Sequence, residues 1–559
     1  MIFDPERQRS IPRTYVTQLE EHLHLLQKKL HDDRPPSTPS TTGIPSISIA
    51  PSVSVSAASR YLGASSGLAF VESAVRLAQS RGILDSSHED EDVDDDSFLS
   101  SGVLTSALDG LFAPTPAPSI PGREKMEELF ADFVQVQWQY QILERSEFEH
   151  HLDHFFGPDR HHNPASIVVV NMVFAISVHF AGRIRGDVTA SNMADSYHEQ
   201  ALTFLGDLLR HKTIDSLQAI LLILLFSIVN PQKPIVWHLL GSALRLASEL
   251  GIHTETICQQ PALEAFEDTS DLPRRLFWSL YSMDRAVGNT LGRPTALQDR
   301  FITANLPLTG NSYQASENSV EISRHCFRIR QLQSEVADYL YQRISPAPPD
   351  YLANVQQRLD VWRSDIPVSI CTPHTLDWFE HSYHNLTMFI HRPSPANPQP
   401  STQHLERCFD AASHVLRIYS RLQLRGSVDS TWMAVHWLFL AAVTHLFCLW
   451  TGEHLRMSAD WSQVNEDIRA ASMVLSAMTE RWKSGRKMLS IYRKLSKGTL
   501  NRYAVISLSE ATSSPAVDTV IQRLHSHSQQ PHLTNLNEMA FDSDMQFWLD
   551  VESMDYTAF

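Results

Sequence analysis

The sequence predicts an all-α protein: a large multi-helix body with a short N-terminal coiled coil, a disordered linker and a flexible tail. Three observations carry this. Apolar residues recur at spacings of three and four almost without interruption from residue 122 to 497. No strand-like alternation bounded by turn residues competes with them there. Stretches rich in Pro, Ser, Thr or acidic residues border the body on both sides.

The elements follow in chain order. Residues 1–14 form a basic linker in which Arg7, Arg9 and Arg13 surround Pro12. In "YVTQLEEHLHLLQKKL", Val16, Leu19, Leu23, Leu26 and Leu30 step by three and four, the seam of a coiled coil over 15–30. Two heptads are marginal for autonomous dimerisation, and a surface helix docked on the body has the same periodicity. Residues 31–121 read as mostly disordered linker, with one short amphipathic piece at 61–80 and an acidic run behind it. Candidate helices of the body are 122–156, 165–185, 193–211, 214–229, 235–252, 271–288, 318–345, 349–364, 375–391, 401–423, 430–454 and 463–497. Residues 498–559 form the tail, which ends in "NEMAFDSDMQFWLDVESMDYTAF". Its bulky side chains, among them Phe541, Phe547, Trp548, Leu549 and Tyr556, are interleaved with acids whose repulsion keeps them in water and free to enter a partner's groove. That is the composition of an acidic activation segment that binds a coactivator; a C-terminal helix packed on the body is the competing reading.

At 559 residues, length alone permits two to four domains or one large helical unit. The 43% hydrophobic content suffices for a large core. The formal charge of −17 is unevenly placed, with eight acids between Asp85 and Asp96 and six between Glu538 and Asp555. Without those fourteen the charge is −3, so the body is nearly neutral and presents no broad basic face. Five scattered cysteines with no CxxC or short ligand spacing among them argue against a structural zinc site made from these five and read as reduced core thiols. The longest apolar run, Ala219 to Val229, is too short to span a bilayer, so no membrane partner is expected.

Catalytic motifs are missing: there is no GxSxG, no glycine-rich phosphate loop and no paired Cys/His motif. "SRHC" at 323–326 places its three reactive types on different sides of a helix. "HHLDHFFGPDRHH" sets His150 and His154 on one helical face, yet lacks HExxH order and a nearby Cys, so no metal site is assigned. An enzyme or small-molecule binder is disfavoured unless a polar pocket with convergent titratable groups exists.

The densest stretch is "RRLFWSLYSMDRAVGNTLGRP", residues 274–294. Ser270 or Asp271 can cap its helix and Pro273 fits the first turn. Leu276, Leu280, Met283 and Val287 form a core face widened by Phe277 and Tyr281. Gly288 and Gly292 permit termination and Pro294 prevents resumption. Asp284 lies on the apolar surface, where an unpaired carboxylate costs several kcal/mol, so an arginine partner is expected. Arg274, Arg275, Trp278, Asp284, Arg285, Gly292, Arg293 and Pro294 are thus structural, not catalytic.

This stretch, extended to "TALQDRFITANLP" and preceded by "WHLLGSALRLASELGIH" at 237–253, resembles the regulatory middle-homology domain of fungal zinc-cluster transcription factors. Weaker fragments, "YLGASSGLAF" at 61–70, "YHNLTMFIHRPS" at 383–394, "CFDAASHVL" at 408–416 and "MVLSAMTERW" at 473–482, extend the likeness over residues 61–497. "RQRSIPRTYVTQLEEHLHLLQKKL" looks like the linker and coiled coil that follow the zinc cluster in that family. The six-cysteine, two-zinc cluster itself is not found ahead of it, so zinc is expected only if such a cluster exists, and this chain as written has no cofactor. The resemblance implies a nuclear, homodimeric or heterodimeric regulator of metabolic genes whose body restrains or releases an activator. It also implies DNA as partner, although here Arg7, Arg9 and Arg13 offer phosphate contacts without sequence information. The alternative is a regulator without its own DNA-binding module that heterodimerises with complete factors.

Overall fold

The computed structural model describes residues 2–4, 9–11, 64–84, 121–158, 163–185, 188–230, 236–259, 271–308, 317–342, 348, 350–426, 432–481 and 485–512. The chain divides into two compact units, 1–46 and 47–559. In the first, Ile2–Asp4 (β1) pairs antiparallel with Arg9–Ile11 (β2), Ile2 opposite Ile11 and Asp4 opposite Arg9. A short ladder thus lies in the basic linker, because three-residue strands are too short to register as an alternating pattern. Arg9 is on β2. Arg7, Arg13 and the seam Val16 to Leu30 lie outside the described residues.

Helices make up most of the described residues of the second unit, whose only strand-like pairing among them is an isolated bridge between Ser394 and Asn397. Its helices are Gly67–Ser80 (α1), Arg123–Val136 (α2), Arg145–Phe156 (α3), Pro164–Arg185 (α4), Val188–Thr203 (α5), Leu205–His211 (α6), Ile214–Val229 (α7), Val236–Glu249 (α8), Glu255–Cys258 (α9) and Leu272–Leu291 (α10). Then come Glu317–Val336 (α11), continued by a π-helical turn Ala337–Gln342, Tyr351–Ser364 (α12), Pro373–His391 (α13), Thr402–Leu424 (α14), Trp432–Thr451 (α15), Glu453–Ser458 (α16), Trp461–Arg481 (α17) and Arg486–Thr512 (α18).

Several boundaries differ from the periodicity, for local reasons. The predicted helix 122–156 is two helices, because Gln137 folds over the break: its amide donates to the Leu143 carbonyl at 2.7 Å and accepts from the Leu143 N–H at 3.1 Å. Periodicity continues across such a break because both halves face one core. The linker 31–121 must be shortened, since α1 buries Phe70, Val71, Ala74, Leu77 and Ala78. The last helix runs to Thr512, beyond the predicted end of the body at 497. Among the described residues two helices, at Pro164–Gly182 and Trp432–Thr451, are long and apolar enough to cross a membrane, unlike the shorter apolar helix Ile214–Val229. Polar residues such as Asn171 and His445 interrupt their runs without ending their helices, and 83% and 78% of these stretches are buried inside the body.

Three apolar cores organise this unit. The first joins α2–α10 around residues such as Val173, Leu224 and Leu276. The second gathers α1 with α14–α18 around Phe70, Leu446, Leu475 and Tyr492. The third lies between α11, α12 and α13 around Ile329, Leu359 and Phe379. Helix α10 is buried along nearly its whole length, polar residues included. It ends on Gly292, whose φ of +65° puts it in the left-handed region, and a Cβ there would stand 2.4 Å from the Ser66 Cβ. Only glycine lets the segment ahead of α1 approach so closely.

Candidate ligand cavity

The arginines of α10 are held by carboxylates. Arg274 donates from Nε and Nη2 to both Glu255 oxygens at 3.1 and 2.5 Å, and from Nη1 to Asp271 at 3.1 Å. The Arg274 fork holds the Glu255 carboxyl down at about 2. Asp271 occupies the N-cap position without capping: its carboxylate takes Arg274 and the Leu308 N–H instead. Arg275 pairs with the fully buried Glu147. Asp284 is buried and accepts from its neighbour Arg285 at 2.7 Å, while Arg285 also donates to Asp299 and to the Leu297 carbonyl and lies 4.1 Å over the Tyr281 ring. Burial pushes the Asp284 carboxyl up, opposed by the Arg285 charge. Trp278 donates from Nε1 to the Asn305 carbonyl, and Arg293 lies over Trp237. The helix stops at Leu291, three residues later than predicted: Gly288 is interior, and its carbonyl accepts the Gly292 and Arg293 N–H groups that close the end. Pro294 is exposed beyond it.

The other singled-out clusters dissolve into separate contacts. His151 uses both ring nitrogens within the core, at 3.0 Å from Ser166 Oγ and 3.1 Å from Gln218 Oε1. His150 and His154 stack edge to face at 4.5 Å, and His161 and His162 lie outside the described residues. In "SRHC", Ser323 donates to the Val320 carbonyl, His325 stacks on Trp362, and burial pushes the Cys326 thiol far up. Phe541, Phe547, Trp548, Leu549 and Tyr556, the residues expected to form an activation segment, lie outside the described residues.

A cavity of about 60 Å³ of water-accessible space opens where the three cores meet. One wall is Ser65 and Gly67 at the start of α1; the others are Ala286, Asn289 and Thr290 of α10, Arg330 and Gln333 of α11, the end of α13 with Arg392 just beyond it, and His436 to Leu440 of α15. Most of the surface is apolar, from Leu386, Met388, Phe389, Trp437, Phe439 and Leu440. None of the eight structural residues of the 274–294 stretch lines it.

Two guanidiniums line this cavity, and they contrast with those on α10. Arg330 is 4% exposed; Nη1 donates to Gln333 Oε1 at 2.7 Å, Nε has no acceptor, and the group lies 5.5 Å over Trp378. Burial pulls it below the usual arginine value, with no carboxylate opposing. Arg392 is 1% exposed, with Nε on the Tyr341 hydroxyl at 2.9 Å, Nη2 on the Ser65 carbonyl at 2.8 Å and Nη1 unspent. The rings of Phe70, Tyr341 and Phe389 surround it at 4.9–5.3 Å. Asn289 adds a third unspent donor, Nδ2. Sequence reasoning singled out neither arginine. The available signal was a charge at a core position: Arg330 continues the stripe of Cys326, Phe327 and Ile329, all fully buried.

Residues 128–364 match the family described as the fungal specific transcription factor domain. The match begins within α2 and ends with α12, so it takes in Arg330 and the α10 wall, while Arg392 and α15 lie outside it. Among curated proteins, the chain is 23% identical to the "Pyrimidine pathway regulatory protein 1" of Saccharomyces cerevisiae, over 76% of this chain and 49% of that one. It is 23% identical to the "Positive regulator of purine utilization" of Emericella nidulans, over 82% and 54%. It is 26% identical to a thiamine repressible genes regulatory protein of Schizosaccharomyces pombe, over 56% and 40%. The chain spans about half the length of the curated relatives it matches. No solved structure matches it.

Proposed function

We propose that this chain, which carries the fungal specific transcription factor domain in residues 128–364, is a nuclear transcription factor controlling RNA polymerase II genes of a metabolic pathway. The observation that carries the reading is that this match falls wholly within the helical body, from α2 to α12. The relatives support it, being by name regulators of pyrimidine, purine and thiamine genes or utilisation. In this reading the body is the control unit. The seam Val16, Leu19, Leu23, Leu26 and Leu30 pairs two chains, as homodimer or heterodimer, with DNA as the target and Arg7, Arg9 and Arg13 near its phosphates. The acidic aromatic tail engages a coactivator: charge keeps Phe541, Phe547, Trp548, Leu549 and Tyr556 solvated until a groove accepts them.

The test is a reporter driven through a heterologous DNA-binding domain. The last twenty-five residues fused to it should activate strongly, and F547A, W548A and L549A together should abolish the signal. The whole chain tethered in the same way should activate less than the isolated tail, because the body restrains it. A silent tail removes the activation role.

A further inference from the structure

We propose that the cavity at the meeting of the three cores binds a small organic carboxylate, gripped by Arg330 and Arg392. Binding is argued from the cavity alone; its meaning as an effector signal rests on the transcriptional reading above.

The groups left unspent on the cavity wall are all donors: Arg330 Nε, Arg392 Nη1 and Asn289 Nδ2. A wall lacking only acceptors calls for an acceptor-rich occupant. Water could take those N–H bonds, but it cannot neutralise two guanidiniums that are almost wholly buried and have no carboxylate partner among the described residues. Elsewhere among the described residues the buried arginines are paired with Glu147, Glu255 and Asp284, so the lack of a carboxylate partner among those residues here marks a site completed from outside. The planar guanidinium fork fits carboxylate oxygens. The apolar wall of Leu386, Met388 and Leu440 favours a carbon skeleton over a hydrated inorganic ion. At roughly 10–15 Å³ per water-sized centre, the space holds an occupant of about four to six non-hydrogen atoms, with a little more as side chains adjust. That is the size of a two- to four-carbon acid.

Malonate is the probe. Added to the purified full chain at constant ionic strength, it should raise the melting temperature and bind by calorimetry, whereas the neutral malonamide should do neither. Arg330→Met keeps the aliphatic stem and should weaken malonate binding roughly tenfold or more, as expected for a charged hydrogen bond. Without malonate this variant should melt no lower than the parent, because it removes a buried cation without a carboxylate; a merely structural arginine would give a lower melting temperature and an unchanged malonate response. Arg392→Lys, which keeps the charge but loses the fork, should also weaken binding, while Arg363→Met should not, since Arg363 is exposed on α12 and paired with Glu380 away from the cavity wall. The proposal is overturned if malonamide acts like malonate, if Arg330→Met binds malonate normally, or if inorganic phosphate binds as tightly as malonate, which would make this an inorganic oxyanion site. None of these outcomes touches the reporter test, so binding and transcription fail separately.

Discussion

Arg285 is held by oxygens of Asp284, Asp299 and Leu297, and its ring partner Tyr281 lies on the preceding turn. Removing such a residue leaves Asp284 buried and unpaired, a loss of about 3–5 kcal/mol for one member of a buried pair. Arg285→Met should therefore lower unfolding stability by that amount in urea titration, and an effect below about 1 kcal/mol would contradict the pairing. The need for an arginine at Asp284 is legible in the sequence, since a carboxylate on an apolar stripe must be compensated. Its identity is not legible, because adjacent residues of a helix do not ordinarily face each other. Here the loop at Leu297–Asp299 folds back and draws Arg285 into the same buried corner. Arg330 and Arg392 are not legible for a related reason: a single arginine in a helix, or just past its end, reads as a solvated edge until tertiary packing closes over it.

Among the elements, α7 shows what local sequence specifies well. Thr213 caps it, accepting the Ser216 N–H at 3.1 Å, and the predicted range 214–229 matches Ile214–Val229. The stretch 122–156 shows the opposite, because its interruption depends on one side chain bonding across six residues. Gln137→Ala would leave the Leu143 N–H and carbonyl buried without partners, at about 1–3 kcal/mol for each such group. The expected outcome is a destabilisation of at least about 1 kcal/mol, with faster amide hydrogen exchange confined to residues 137–145. Unchanged exchange there would show that the break is held by other contacts. The amphipathic piece at 61–80 is legible as a helix, but its membership of the body is not, since the helices it packs against, α15 and α10, lie hundreds of residues away in the sequence.

Across the whole molecule, buried histidines make the fold sensitive to acid. Burial pulls His381, His384 and His391 down to about 3, and His325 and His445 down to about 4. An unfolded chain takes up protons at these sites near 6.5, whereas the native state does not until much lower pH. The stability they contribute is therefore complete above pH 6.5 and is lost as pH falls from there towards 4 and 3. Each site adds a slope of at most about 1.4 kcal/mol per pH unit. Urea midpoints taken at pH 7.5, 6.5, 5.5 and 4.5 should fall progressively more steeply, and a flat profile over that range would refute the assignment. The all-α class is legible at this scale because periodicity accumulates over hundreds of residues. The cavity is not, because its walls come from separate places between Ser65 and Leu440 and no local pattern encodes their meeting.

The attachment of α1 also dictates an order of assembly. Its end is tied to α15, where Arg81 bonds the Trp450 carbonyl, and to α18, where Gly498 packs against Ile83. Its beginning is tied to Arg392 through the Ser65 carbonyl. As the chain leaves the ribosome, then, the first helix of the body must wait, exposing Phe70 and Leu77, until more than four hundred further residues have been synthesised. This helix is thus made long before it finds its place, and the cavity it walls cannot close before Leu440 has been synthesised.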